Sequence, residues 1–541
     1  MYDFARSPTV GFPLLFAVLV LTACSATQPV ATATPTASAT PLKATETIPS
    51  TVAHSPTPKP TVRVGLAPTP NLKPTIDPTI LPNKLMTELK LVAEPGTNGY
   101  SVQRITGWEY GFSISSGFYG RNYSEPVSWL DNAHLLLEPV TGESWGRGVA
   151  QQVQPVVVNL VKDRFWLPPT RWSSDLYWSA ALNELIVIEK NGFTRYDSDG
   201  QVLRTTKSDG RYYYLSPSGQ RLLAVSKTGD TWYDLTTNQV VNIEANNNPG
   251  SVGWSPDETH LFDENLCLID ADVGKITCMN FKLDVFGGEG ISTIYWVTGD
   301  KVMLDWPGFY EGTPAPDNPP LVLLIDPLNA TYQDVRTLAG FDKSTNCGFT
   351  SIFSPDHNNI WLECDQKSYV IDLLTFSKQA VPTDLEFDSW SPDSKFALAQ
   401  QIDQNCCKKP YRYAMYSLLT TEAYSVTLGV ILSPTWSTTG SLLAYLAEDR
   451  QQLGVLDAAT QDIVQAALPQ PVVNIYWQPQ NQGIVVQGDD NSLWWIADPA
   501  VNRIEQLTAP LPAVRDVKWS PNGDRLAFVS GTDVYVVTVS K

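Results

Sequence analysis

A short sequence built around a tryptophan and a Ser-Pro turn recurs along most of this chain. Its clearest copy is Trp519–Ser530, in which Ser-Pro-Asn-Gly separates the tryptophan from an apolar Leu-Ala-Phe-Val stretch. Proline presets φ and glycine supplies positive φ in tight turns, so this copy predicts a β-hairpin. Sister copies begin at Leu215, Trp254, Phe353 and Trp390, and looser ones at Trp129, Trp178, Trp296, Trp436 and Trp477. Because each copy must form the same unit, the repeat constrains the fold more than any other feature.

The spacing of the copies identifies that unit. They recur every ~43 residues, within the roughly 40–50 residue period of propeller blades. A second apolar hairpin follows most copies, as at Trp232–Val241, Cys267–Ile276 and Gly454–Val464. Two hairpins in each period give four antiparallel strands, which make one blade. The sequence therefore predicts an all-β protein, a β-propeller with about ten four-stranded blade repeats.

Ten repeats exceed the usual four to eight blades. The chain could form one large wheel or two tandem wheels, and Gly312–Pro320 could be either a linker between wheels or a long loop within a blade. The last repeat has room for only three strands before Lys541. We expect residues 86–106 to supply the fourth strand, because an unpaired edge would be an aggregation hazard.

The tryptophan, its Ser-Pro turn and the following Leu-Ala-Phe-like strand resemble the repeats of TolB-type propellers, also called WD40-like or PD40 repeats. Similar repeats occur in the propeller that precedes the hydrolase domain of prolyl oligopeptidases. The resemblance covers about 129 to 541 and implies a β-propeller. It implies no particular activity, because propellers serve many unrelated functions.

The N-terminus resembles a bacterial lipoprotein signal peptide. Arg6 precedes an apolar run, Gly11–Val20, that is too short for a permanent membrane helix, and Leu21-Thr22-Ala23-Cys24 resembles a lipobox. By that resemblance residues 1–23 are removed and the Cys24 thiol carries diacylglycerol. An ordinary signal peptide with an accidental cysteine is the alternative.

Residues 24–83 comprise Cys24 and a stretch rich in Thr, Pro, Ala and Ser. Such a stretch buries too little apolar surface to fold, so it predicts a disordered stalk. The propeller region is then 84–541, anchored outside the cytoplasm on the bacterial cell membrane through lipid on Cys24. The formal net charge of −19 argues against nucleic acid as a partner, because phosphates require a basic surface.

Six cysteines follow Cys24. Cys267 and Cys278 flank one hairpin turn, and Cys347 and Cys364 flank another, so both pairs are candidate disulfides within bonding reach. The adjacent Cys406 and Cys407 could form a vicinal disulfide, stay reduced or bind a metal.

Residues for catalysis are scarce. The sequence has four histidines, His54, His134, His260 and His357, without metal-ligand spacing, and we expect those beside repeat turns to be solvated. It has neither a Gly-x-Ser-x-Gly nor a His-Glu-x-x-His motif. Val225–Trp232 resembles a sialidase box only at its Gly-x-Thr-Trp end, and Asp197–Gly200 lacks the downstream carboxylate of a calcium loop. We expect no catalytic residue, no bound metal and no cofactor.

Binding has better candidates. Several tryptophans fall in loop-like segments, where exposed rings could stack on a ligand or cover the blade ends: Trp108, Trp145, Trp166, Trp172 and Trp306. We expect a cell-surface lipoprotein whose propeller is a non-catalytic binding scaffold for a protein or a glycan-like envelope polymer. The alternatives are a propeller glycoside hydrolase or lyase with channel carboxylates, and support of an envelope complex.

Overall fold

The computed structural model confirms an all-β propeller. It describes residues 89–539 except 107–126, 138–154, 171–175, 227–228, 244–251, 264–265, 280–292, 298–299, 307–308, 311–312, 315–320, 343–344, 346, 348–351, 366, 383–384, 402–411, 418–424, 502 and 532. The predicted signal peptide, the stalk, Cys24, Cys406 and Cys407 lie outside the described residues.

The chain begins its described part with a hairpin and then enters the blades. The hairpin contains β1 (Lys90–Pro95) and β2 (Ser101–Thr106), joined by a 3-10 turn at Thr97–Gly99. Blade 1 contains β3 (Val127–Trp129), β4 (His134–Leu137), β5 (Val156–Asn159) and β6 (Arg164–Trp166). Blade 2 contains β7 (Leu176–Ser179), β8 (Glu184–Glu189), β9 (Gly192–Asp197) and β10 (Val202–Lys207). Blade 3 contains β11 (Tyr212–Leu215), β12 (Arg221–Val225), β13 (Asp230–Asp234) and β14 (Val240–Ile243).

The middle blades carry two additions to this plan. Blade 4 contains β15 (Val252–Trp254), β16 (His260–Asp263), β17 (Cys267–Asp270) and β18 (Ile276–Cys278). Blade 5 contains β19 (Thr293–Val297), β20 (Lys301–Trp306), β23 (Leu321–Asp326) and β24 (Thr331–Asp334), with a small hairpin of β21 (Phe309–Tyr310) and β22 (Thr313–Pro314) inserted, and is followed by the short helix α1 (Val335–Leu338). Blade 6 contains β25 (Ile352–Phe353), β26 (Asn359–Cys364), β27 (Lys367–Asp372) and β28 (Lys378–Ala380).

One long strand joins the next two blades. Blade 7 contains β29 (Leu385–Trp390), β30 (Phe396–Gln401), β31 (Arg412–Ser417) and the first half of β32 (Ser425–Trp436). Blade 8 contains the second half of β32, then β33 (Leu442–Ala447), β34 (Gln452–Asp457) and β35 (Ile463–Ala467). Blade 9 contains β36 (Val472–Trp477), β37 (Ile484–Gly488), β38 (Leu493–Asp498) and β39 (Arg503–Gln506), with a 3-10 turn at Pro499–Val501. Blade 10 contains β40 (Val514–Trp519), β41 (Arg525–Ser530) and β42 (Asp533–Thr538).

The serine of each Ser-Pro turn explains why the repeat keeps that residue. Ser391 is 0% exposed. Its hydroxyl donates to Asp393 Oδ1 at 2.7 Å and accepts from the Phe396 N–H at 2.9 Å, so it closes the turn between the first two strands. Ser255, Ser354 and Ser520 make the same pair of bonds.

Both faces of the repeat's apolar strand are buried. Leu526 and Phe528 of β41 pack toward blade 9, whereas Ala527 and Val529 pack toward blade 1. Because side chains alternate along a strand, a sheet covered on both faces needs a continuous apolar run. This arrangement accounts for Leu-Ala-Phe-Val in the repeat.

Indole groups bond the blades into a ring. The first strand of each blade is the inner one, since first strands of neighbouring blades contact each other, as β15 with β19 and β3 with β40. Trp477 Nε1 of blade 9 donates to Thr435 O of blade 8 at 3.0 Å. Four other repeat tryptophans also bond to the residue before the neighbouring blade's repeat anchor: Trp296, Trp390, Trp436 and Trp519.

The ring closes once, between the first and last blades. Trp129 Nε1 of blade 1 donates to Lys518 O of blade 10 at 3.1 Å. Apolar clusters also join every neighbouring pair of blades, including blade 10 with blade 1. Of the two arrangements that the sequence left open, the structure has one wheel of ten blades.

The N-terminal segment completes blade 10, as the sequence predicted. β2 pairs antiparallel with β42, with Val102 opposite Val537. The hairpin also adds β1 as a fifth, outermost strand, which the sequence did not predict. An ion-pair cluster accompanies this addition, because Arg104 contacts Glu94 of β1 at 2.7 Å and Asp533 of β42 at 3.2 Å.

Both predicted disulfides are present. Cys267 and Cys278 lie opposite each other on β17 and β18 and form a bond of 2.06 Å. Cys347 and Cys364 form an isolated bridge and a bond of 2.08 Å. Each disulfide links the two sides of a single hairpin.

Candidate functional site

The tryptophans singled out from the sequence are only partly described. Trp108, Trp145 and Trp172 lie outside the described residues, and Trp306 ends β20 but its side chain is outside them too. Trp166 ends β6, where its Nε1 donates to Ser198 O of blade 2 at 3.0 Å and its ring lies 5.5 Å from that of Tyr196. The Trp166 indole therefore helps to join blades 1 and 2, and its use as a ligand-stacking surface remains a prediction.

His134, which follows the first repeat tryptophan, is buried beside a carboxylate. It is 7% exposed and its Nδ1 lies 2.7 Å from Asp131 Oδ2. The Asn159 amide donates to Asp199 Oδ1 of blade 2 at 2.7 Å and also lies 2.8 Å from His134 Nε2. Asp131 comes from the turn before β4, so the local sequence places a carboxylate beside the ring and makes burial possible.

Charge within this network is shifted toward the ionised forms. Hydrogen bonds from Lys162 and Asn159 lower the pKa of Asp199 to about 2. Burial acts to lower the pKa of His134, but the hydrogen bonds to Asp131 and Asp199 and the charges of these two carboxylates together outweigh it and raise the pKa above its ordinary value. With its polar groups bonded to each other, the network joins blades 1 and 2 rather than offering a reactive group.

A pocket lies between blade 9 and the elements that close the ring. Its volume is about 180 Å³, and its lining residues come from the N-terminal hairpin, from β38 and β39, and from the residue that follows β42: Tyr100, Trp495, Ala497, Arg503, Glu505 and Val539. We call this the clasp pocket. It is smaller than the roughly 300–1,000 Å³ of sites for drug-sized ligands, so its size suits one sugar unit or one side chain.

Hydrogen bonds hold the pocket walls together. The Tyr100 hydroxyl donates to Glu505 Oε2 at 2.6 Å. Burial and this bond to Glu505 raise the pKa of Tyr100, so the phenol stays protonated. Nearby, Thr97 Oγ1 and Asn98 Nδ2 donate to Gln506 O at 2.8 and 3.0 Å. The hairpin that closes blade 10 is thus fastened to blade 9.

The chemistry of the clasp pocket is an aromatic surface beside a charged pair. Trp495 is half-buried and meets the Trp519 ring edge-on at 5.7 Å. Arg503 is 67% exposed and contacts Glu505 Oε1 at 2.8 Å. An indole face with adjacent guanidinium and carboxylate groups can pack on a sugar ring and bond its hydroxyls, or seat a peptide side chain.

Bulges interrupt the inner strands of blades 7 to 10. In β29 Asp388 is the extra residue, between Phe387 and Ser389, and in β40 Asp516 lies in a bulge with φ of 52°. β-Bulges re-aim a side chain, and non-glycine residues seldom adopt positive φ. Asp388 is exposed on this inner strand, yet the surrounding protein removes enough water to raise its pKa. Blades 7 and 10 therefore each carry an acidic residue in a bulge of the inner strand.

The described part of the chain lacks two further features. No three His, Cys, Asp or Glu side chains come together there as a metal site. Within the same residues, none of the helices has the length and apolar character that a membrane crossing needs.

The fold defines the class: a ten-bladed β-propeller. No protein-family model matches this sequence, and no curated protein matches it. Among solved structures it is similar to one described as the crystal structure of the eukaryotic initiation factor, with a TM-score of 0.41 and 13% identity, covering 75% of this chain and 98% of that chain. It is also similar to a chain in the crystal structure of a mitotic checkpoint complex, with a TM-score of 0.25 and 13% identity, covering 59% of this chain and 84% of that chain.

Proposed function

We propose that this chain is an extracytoplasmic lipoprotein with a TolB-type propeller that binds an envelope polymer or a protein without catalysing a reaction. Lipid on Cys24 would anchor it to the bacterial cell membrane, and residues 25–83 would hold the ring away from the surface. The observation that carries the binding role is the clasp pocket, where Trp495 lies beside the Arg503–Glu505 pair. Its dimensions favour a single sugar unit of a polymer over an extended ligand.

Titration of the purified protein with soluble cell-wall oligosaccharides, followed by tryptophan fluorescence, tests the binding role. We expect the change in emission to saturate. The affinity obtained from it should be at least ten-fold weaker in Arg503→Ala, because the ligand would lose its bonds to the guanidinium. Arg450→Ala is the matched control, since Arg450 is also exposed and also pairs with a carboxylate, Asp489 at 3.5 Å. Equal affinities in both variants, or no response to the glycans or to a peptide library, would remove the pocket as the ligand site.

Anchoring has a separate test. Wild-type protein expressed in a bacterium should partition into the detergent phase, and Cys24→Ala should move it to the aqueous phase, because each buried CH₂ of an acyl chain contributes ~0.8 kcal/mol to membrane affinity. A wild-type protein that stays in the aqueous phase would contradict lipidation.

A propeller glycoside hydrolase or lyase is the second candidate. The observation that favours it is the pair of bulged inner strands that carry Asp388 and Asp516, together with the raised pKa of Asp388, as a general acid requires. Incubation with labelled glycans distinguishes the two functions. Product release that is abolished by both Asp388→Asn and Asp516→Asn would identify the enzyme.

A further inference from the structure

Two aspartates are buried together between blades 3 and 4, remote along the chain from the clasp pocket. Asp230 begins β13 and is 1% exposed, and Asp263 ends β16 and is 0% exposed. Each adjoins the turn between the second and third strands of its blade, so both lie at the same end of neighbouring blades. Burial raises the pKa of Asp230, and the charge of Asp263 raises it further.

Backbone groups fix both carboxylates. The Ser226 N–H donates to Asp230 Oδ1 at 3.2 Å, and the Cys267 N–H donates to Asp263 Oδ1 at 2.8 Å. Cys267 is in turn held by its disulfide to Cys278. The two acidic groups are therefore set in place by the fold and cannot separate without disturbing these turns.

One carboxylate oxygen of this pair lacks a partner. Asp230 Oδ2 is buried and accepts no hydrogen bond from the described residues. No lysine, arginine or histidine among those residues forms an ion pair with Asp230. A buried carboxylate is costly unless it is paired, protonated or bound to a metal, so the Asp230 carboxyl requires one of these.

The same interface also lacks the indole bond found at other blade interfaces. Trp254 Nε1 is buried without a hydrogen-bond partner in the described part of the chain. Trp178 has the same deficit between blades 1 and 2, but there the bonds of Asn159 and Lys162 to Asp199 connect the blades. At the Asp230 end of blades 3 and 4, a bound cation would supply an equivalent connection.

We propose that Asp230 and Asp263 bind a hard divalent cation, calcium, between blades 3 and 4. Two carboxylates balance its charge, and all the side-chain donors are oxygens, which calcium prefers. Calcium also accepts backbone carbonyls and water in irregular geometry, whereas magnesium demands a near-ideal octahedron. Two side-chain ligands on separate blades therefore suit calcium better.

Equilibrium dialysis of the metal-stripped protein against calcium chloride, with bound metal measured by atomic emission, tests the site. We expect one calcium ion per chain in the wild type and at least ten-fold weaker binding in Asp230→Asn and in Asp263→Asn. Asp272→Asn is the matched control, because its side chain is 63% exposed in the same blade and its binding should equal wild type.

Thermal unfolding separates calcium from a proton as the occupant. With calcium, the wild type should melt at a higher temperature than Asp230→Asn. With EDTA the order should reverse, because the amide avoids burying a second negative charge. If the wild type binds no calcium and its melting temperature does not respond, the pair holds a proton and the proposal is wrong. Calcium binding that both Asn variants retain would also refute it.

Discussion

Trp129 Nε1 donates a hydrogen bond to Lys518 O across a sequence separation of 389 residues. The same bond joins other neighbouring blades, but here it links the first blade of the ring to the last. Closure of the wheel therefore uses the same interaction as its ordinary interfaces.

Replacing Trp129 by Phe should lower the free energy of unfolding, because the hydrogen bond from the indole to the Lys518 carbonyl is lost. Trp178→Phe is the matched control, since Trp178 Nε1 is buried without a partner in the described residues. Both variants lose similar apolar area, so Trp129→Phe should be about 1 kcal/mol less stable than Trp178→Phe in urea unfolding. Equal losses would show that this bond contributes nothing to closure.

Ser391→Ala should destabilise the first hairpin of blade 7. The change removes the acceptor of the Phe396 N–H and the donor to Asp393, in a place that water does not reach. We expect a loss of about 1–3 kcal/mol in chemical denaturation. Ser377→Ala, at an exposed turn, should stay within about 0.5 kcal/mol of wild type, and a similar small loss for Ser391→Ala would be evidence against the buried serine as a turn-closing group.

Deleting 86–106 should lower the melting temperature and promote aggregation. The deletion removes β1 and β2 and exposes the edge of β42, whose backbone groups can pair with another chain. Deleting 25–83 instead should leave the melting temperature unchanged, because that segment is expected to make no packed core. Differential scanning calorimetry with light scattering measures both effects, and an unchanged melting temperature without 86–106 would contradict closure by this hairpin.

Asp199 should make stability depend on acid pH. Because its folded pKa is about 2, below the ordinary 3.8, folding favours the ionised form. Its contribution is complete above the ordinary pKa and is lost as the pH falls through the folded pKa. Urea midpoints from pH 5 to pH 2 should therefore fall further in wild type than in Asp199→Asn, whereas Asp272→Asn should follow the wild type. Parallel curves for wild type and Asp199→Asn would show that the ion pair with Lys162 has no such role.

The repeated hairpins, the N-terminal closing strand and the pairs Cys267–Cys278 and Cys347–Cys364 were predictable because each depends on local spacing or strand count. The number of wheels could not be predicted. Every blade interface uses the same types of residue, so the sequence does not show which blade packs against the last one. The clasp pocket was missed for a related reason: Tyr100, Trp495 and Val539 meet only when distant segments assemble. Asp131, two residues after Trp129, was the one local signal that His134 could be buried with a partner.

The pairing of β2 with β42 also sets the order of events when the chain is made. Arg104 leaves the ribosome 429 residues before Asp533, the residue it contacts in the finished ring. Contacts of such long range form slowly, and a waiting strand edge is open to wrong partners. During synthesis the edge of β2 that pairs with β42 must wait until the last blade emerges, so protection of that edge from wrong partners would limit the yield of the closed wheel.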